Sequence, residues 1–178
     1  MRKLKNEELN RISKEEFKDK PKTPVIIVLD NVRSMNNVGS IFRTADAFLL
    51  EGIYLCGITS QPPHREIEKT ALGATQTVAW KYFKNISYAI AELKQQNFAV
   101  ISVEQTDSSI PLGKFVPIKE KKYALLFGHE MNGISEEAIQ MSDIALEVPQ
   151  YGTKHSLNIA VCAGIVVWDI YSKLQDPK

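Results

Sequence analysis

From residue 25 onward the chain alternates short β-branched runs with amphipathic ones. VIIVLDNV (25–32) is a continuous apolar run of strand length that starts directly after Pro24, and it predicts a buried strand. NVGSIFRTADAFLL (37–50) places Ile41, Ala45, Phe48 and Leu49 on one face at helical spacing. IYLCGI (53–58), entered through Gly52, predicts a second strand, EKTALGA (68–74) a short helical or irregular piece, and VAWKYF (78–83) a third strand. ISYAIAELKQQN (86–97) is amphipathic, and Asn97 suits the end of a helix. FAVISV (98–103), YALLFG (123–128) and IALEVP (144–149) read as strands, and SEEAIQM (135–141) as a short helix capped by Ser135. Residues 156–174 predict a last helix, apolar almost all round and therefore largely buried, with Ser156 as its N-cap. Strands alternating with helices predict an α/β domain on a mainly parallel sheet, spanning 25–178.

Residues 1–24 differ. They are polar, and they carry eight Lys/Arg against five Asp/Glu. Ser13 and Glu16 have capping-box spacing for a short helix, which Pro21 and Pro24 would stop. This leader reads either as a solvated tail or as an RNA-contacting arm.

Composition changes the picture little. The 178 residues suit one domain, and the net charge of +1 means that any basic surface must be a local patch. Cys56 and Cys162 lie in apolar runs and read as small buried hydrophobes. His64, His129 and His155 have no metal-ligand spacing, so no metal is expected. The N-terminus is charged and lacks the apolar core of a signal peptide. The stretch Leu157–Trp168 is too short to span a bilayer, so no membrane partner and a cytoplasmic location are expected.

In open α/β sheets, ligands bind beyond the carboxyl ends of the strands. Three polar stretches stand at such exits. In NNVGSIFRTADA, Gly39 would let another backbone or a phosphate come close, with Asn37 and Arg43 nearby; the plain alternative is an Asn cap, a packing Gly and an Arg43–Asp46 pair. In FGHEMNGIS, Gly128 permits close backbone approach and Glu130 offers an acceptor, or the stretch is simply a turn. In PQYGTKHSLNIAV, Ser156 and Asn158 flank apolar Leu157, a mixture suited to an adenine nucleoside. Neither a G-x-G-x-x-G fingerprint nor a P-loop is present, which disfavours a nucleotide-dependent reductase.

Taken together, the three stretches resemble the motifs of the SpoU (TrmH) family of RNA ribose 2′-O-methyltransferases, within the SPOUT class. The first resembles Asn37-x-Gly39-x-x-x-Arg43-x-Ala45, the second LLFGHEMNGI with Gly128, Glu130 and Gly133, and the third VPQYGTKHSLNIAV with Pro149, Gly152, Ser156, Leu157 and Asn158. EKTALGA is similar to a Lys-Thr-x-x-Gly-Ala segment of the family. The third stretch looks closer to the tRNA guanosine-18 branch than to the rRNA branch, and the leader is too short for the separate N-terminal RNA-binding domain of many rRNA-directed members.

The resemblance implies a C-terminal trefoil knot, a homodimer, S-adenosylmethionine (AdoMet) as cofactor and RNA, first of all tRNA, as partner. It implies catalytic roles for Arg43, Asn37, Glu130, Ser156 and Asn158. It also implies cofactor contacts from Val103, Gly128, Val148, Ser156 and Leu157. The alternatives within it are rRNA or the tRNA wobble position as target, or an RNA-binding protein without catalysis.

Overall fold

The computed structural model describes residues 1–175. Its elements in chain order are α1 (Lys14–Asp19), β1 (Thr23–Asp30), α2 (Met35–Ala47), β2 (Leu50–Cys56), α3 (Arg65–Ala71), β3 (Trp80–Phe83), α4 (Ile86–Gln95), β4 (Phe98–Val103), β5 (Ile110–Pro111), β6 (Lys122–Phe127), α5 (Glu136–Met141), β7 (Ile144–Glu147) and α6 (Ile159–Gln175). The seven strands form one parallel sheet in the order β3-β2-β1-β6-β4-β7-β5. Only β5, two residues long, lay outside the predicted set.

Alternation along β1 divides the core. Val25, Ile27 and Leu29 join the layer covered by α2, α3 and α6, whereas Ile26 and Val28 join the layer under α4 and α5. Both layers are buried and apolar, which is why β1 reads as an unbroken apolar run. β6 pairs with β1 in register Ile27↔Leu125 and so separates β1 from β4. The exits of β6, β4 and β7 therefore lie side by side.

The leader is docked through α1. Ser13 Oγ accepts from Glu16 N (3.1 Å) and Glu16 Oε2 accepts from Ser13 N (2.7 Å), the expected capping box. Phe17, 3% exposed, packs into the α2–α6 layer. Lys14 Nζ donates to Gln76 Oε1 at 2.5 Å.

Several boundaries differ from expectation. α2 is capped by Ser34, whose Oγ accepts from Asn37 N (3.3 Å), and not by an Asn. It stops at Ala47 because Leu49 turns into the left-handed region (φ 52) to start β2. α3 lies three residues earlier than predicted, since Leu72 (φ 51) and Gly73 (φ 90) end it. α6 begins at Ile159, not 156. Its cap is Asn158, whose Oδ1 accepts from Ala160 N (2.9 Å) and Val161 N (3.3 Å), so the expected Ser156 cap is corrected.

The burial expected for α6 also needs correcting. Ile159, Ala163, Val166, Val167 and Ile170 face the core at i, i+4, i+7, i+8 and i+11. Val161, Ile165 and Trp168 form a second stripe on the same helix that is 53%, 40% and 58% exposed. No helix among the described residues is long and apolar enough to cross a membrane. No group of three or more His, Cys, Asp or Glu among them is placed to hold a metal ion.

Candidate active site

The three motif stretches meet at the start of α2. Glu130 accepts from Arg33 N (3.1 Å), Ser34 N (2.9 Å) and Asn37 Nδ2 (3.3 Å). Asn158 Nδ2 in turn donates to Asn37 Oδ1 (3.2 Å). One hydrogen-bonded chain, Asn158–Asn37–Glu130, thus ties together the first, second and third stretches. Burial works against ionisation of Glu130. The N–H groups of Ser34, Glu130 itself and Arg33, with the Asn37 amide, outweigh it and hold the carboxyl below its ordinary range. A carboxylate here also complements the positive end of the α2 dipole.

The second stretch is a tight turn braced from outside. His129 N donates to Gly133 O (2.9 Å) and Gly133 N to His129 O (2.8 Å). Asp30 accepts from Ser135 N (3.1 Å) and Ser135 Oγ (2.9 Å), and Glu104 Oε2 from Ile134 N (3.0 Å). A Cβ on Gly128 would stand 2.1–2.2 Å from the backbone of Gly133 and Ile134. The close approach that Gly128 permits is made by the chain's own turn, not by a ligand. Gly39 is similar: a Cβ there would meet Thr70 Oγ1 at 2.1 Å and Ile67 O at 2.3 Å, so it lets α2 lie against α3 rather than admitting a phosphate. The EKTALGA segment serves the same contact, with Thr70 Oγ1 donating to Asn36 O (3.0 Å).

Beyond the ends of β4, β6 and β7 lies a cavity of about 620 Å³. All five expected cofactor residues, Val103, Gly128, Val148, Ser156 and Leu157, line it, as do Glu130 and Asn158. Its size and its mix of apolar side chains with backbone polar groups suit a nucleoside-sized ligand. Asn37 does not line it but is bonded to two residues that do.

Arg43 is elsewhere. It is exposed and lines a separate hollow with Arg11, Lys14, Asp46 and the 71–77 segment. Among the described residues it has no hydrogen-bond or ion-pair partner. The Arg43–Asp46 pair does not form, since Asp46 accepts from Thr77 Oγ1 instead (2.5 Å).

Sequence reasoning overlooked Glu104, Glu147 and Cys162, all of which line the cavity. Glu104 directly follows β4, so inspecting that strand exit as well would have found it. Cys162 is a free thiol that burial, with help from Glu104, pushes up to about 11. Cys56, the buried last residue of β2, is pushed up to about 12 by burial and Asp30.

The SpoU rRNA Methylase family profile matches residues 24–168. A tRNA (guanosine(18)-2'-O)-methyltransferase of Borreliella burgdorferi is 26% identical over 148 residues, covering 83% of this chain and 66% of that protein. A further tRNA/rRNA methyltransferase of the same organism is 29% identical over 160 residues, covering 90% and 68%. The AdoMet-bound rRNA methyltransferase of Sinorhizobium meliloti superposes with a TM-score of 0.79 at 26% identity, covering 90% of this chain and 61% of that one. The chain spans about two thirds of the length of the curated relatives it matches, 61% to 68% for the first three. A profile match over most of the chain, on a parallel sheet whose three polar exits converge as described, establishes that this chain belongs to the SpoU methylase family.

Proposed function

We propose that this chain transfers a methyl group from AdoMet to a ribose 2′-hydroxyl of RNA, with tRNA as the first substrate to test. The observation that carries the reading is the Asn158–Asn37–Glu130 chain at the edge of a nucleoside-sized cavity. Val103, Gly128, Val148, Ser156 and Leu157 would hold the cofactor. When bound, AdoMet supplies an electrophilic methyl carbon whose leaving thioether is neutral, so acid catalysis is not needed. The demand on the protein is to place the ribose in line and make its oxygen nucleophilic. Glu130 fixes the Asn37 amide, and Asn37 fixes Asn158, which gives the ribose a rigid polar edge. A guanidinium is a poor base, so Arg43 is not assigned that role. Its role is to hold the substrate phosphate and stabilise charge developing on the 2′-oxygen, with that phosphate taking the proton.

Arg43 faces away from its own cavity, so the reading includes a homodimer in which a second copy brings Arg43 to the site. The exposed Val161–Ile165–Trp168 stripe, whose Trp168 ring sits 5.8 Å from Phe48 of the α2 C-cap, supplies the apolar face for it. Sedimentation at micromolar concentration should give a dimer, and Trp168→Glu a monomer without methyl transfer. A monomeric native protein would sink this part of the reading. The trefoil knot at β7–α6 and a cytoplasmic location belong to the same proposal.

The leader is proposed to hold RNA through Arg11 and Lys14, which share the Arg43 hollow; Lys69 and Lys154 do not line it. Deleting the leader would also strip Phe17 from the core, so point variants are the sound test. Arg11→Ala with Lys14→Ala should weaken tRNA binding and lower its salt slope by about one to two, with cofactor affinity unchanged. An unaltered affinity and slope would leave the leader without a part in RNA binding.

The activity itself is tested by methyl transfer from labelled AdoMet to total tRNA and to rRNA, followed by mapping of 2′-O-methyl sites. Label in tRNA supports the reading and label in rRNA alone moves the substrate. Label in neither, with cofactor bound, leaves an RNA-binding protein without catalysis.

A further inference from the structure

We propose that Glu104 makes the cofactor cavity select for positive charge, so that the sulfonium cofactor is held more tightly than its neutral thioether product. The inference rests on the methyl-transfer reading above and adds a specificity residue to it. Glu104 follows the last residue of β4 and stands in the cavity beyond the strand's carboxyl end. Its main chain is anchored by Glu104 N donating to Leu146 O (2.9 Å). Its carboxylate accepts only from backbone: Oε2 from Ile134 N (3.0 Å) and Oε1 from Gln105 N (3.0 Å). Each oxygen keeps a further acceptor direction, and no ion pair among the described residues involves Glu104.

Two imidazoles, His129 and His155, and a further carboxylate, Glu147, share the lining, and none of them forms an ion pair with Glu104. No Lys or Arg lines the cavity. Glu130 is already committed to the start of α2 by three donors. Cys162 on α6 also lines the cavity, and burial, with the Glu104 charge adding to it, raises its thiol. A ligand filling the cavity would displace water and salt from between itself and Glu104, which strengthens the attraction. Methyl transfer removes the charge on sulfur, and with it the attraction, so product leaves a cavity that was built to hold a cation.

The test is calorimetric titration with AdoMet, with S-adenosylhomocysteine, and with sinefungin, in which an amine replaces the methylsulfonium. The variants are Glu104→Gln, which keeps an acceptor oxygen without the charge, and Glu104→Asp, which keeps the charge; thermal melts check that each is folded. In Glu104→Gln the Kd for AdoMet and sinefungin should rise about tenfold, equal to ~1.4 kcal/mol, while that for S-adenosylhomocysteine stays within about twofold. Glu104→Asp should keep the preference for the two cations. Equal weakening of all three ligands by Glu104→Gln, or no change in any, overturns the inference and leaves Glu104 as a brace for the 128–134 turn. Failure of the native protein to bind any of them would instead remove the methyl-transfer reading itself.

Discussion

Replacing Arg43 by alanine should lower methyl transfer by about 100-fold or more while leaving AdoMet affinity unchanged. The two halves of this expectation come from different places in the molecule. Arg43 does not line the cavity beyond β4, β6 and β7 and makes no hydrogen bond or ion pair among the described residues, so its loss disturbs neither cavity nor fold. A free, exposed guanidinium on a rigid helix is an electrostatic tool with no structural duty in the isolated chain. Truncating an exposed residue of this kind should change stability by about 0.5 kcal/mol or less. Arg43→Lys should recover only part of the rate, since a point charge cannot reproduce a two-pronged grip on phosphate. Single-turnover methyl transfer, with cofactor titration alongside, checks both halves. Near-native turnover of Arg43→Ala would make Arg43 a surface residue and remove it from the mechanism.

Gly128→Ala should lower cofactor affinity by about tenfold or more and destabilise the fold by about 1–3 kcal/mol. The added Cβ would lie 2.1–2.2 Å from Gly133 C, Gly133 O and Ile134 N, all main-chain atoms that cannot rotate away. The turn must open, and with it go the His129–Gly133 pair, the Ile134 bond to Glu104 and the seat of Glu130 on α2. At this chain length each kcal/mol lowers Tm by about 2–4 °C. Gly152→Ala is the control: a Cβ there meets nothing within 4 Å, and its effect on stability should stay within about 0.5 kcal/mol. An unaltered melt and cofactor titration for Gly128→Ala would mean that the turn relaxes freely and does not shape the cavity.

The helix starts show how local signals compete. Ser156 and Asn158 are nearly equal as caps by intrinsic preference. The tie is broken in space: Asn158 Nδ2 is held by Asn37, which leaves its oxygen aimed at the N–H groups of Ala160 and Val161. At α2 the choice went to Ser34, which lies outside the predicted helix, and Asn37 was released to bond Glu130 and Asn158. The glycines follow the same logic. Their need for space was legible, but whether a ligand or the chain itself fills that space was not.

What the sequence by itself determined is the alternation of strands and helices, the parallel α/β class and the three polar strand exits, because each depends on neighbours a few residues apart. Val103, Gly128, Val148, Ser156 and Leu157 came from the family resemblance, and all five line the cavity. Only the tertiary structure decided that Asn37, Glu130 and Asn158, separated by 93 and 121 positions, form one hydrogen-bonded chain. It also decided that Arg43 turns to a different hollow from the cavity and that α6 keeps an exposed apolar stripe. The physical reason is the same in each case. Side-chain direction on a helix is set by which face the rest of the chain buries, and insertion of β6 between β1 and β4 fixes which loops face the cavity and which side of α2 is covered.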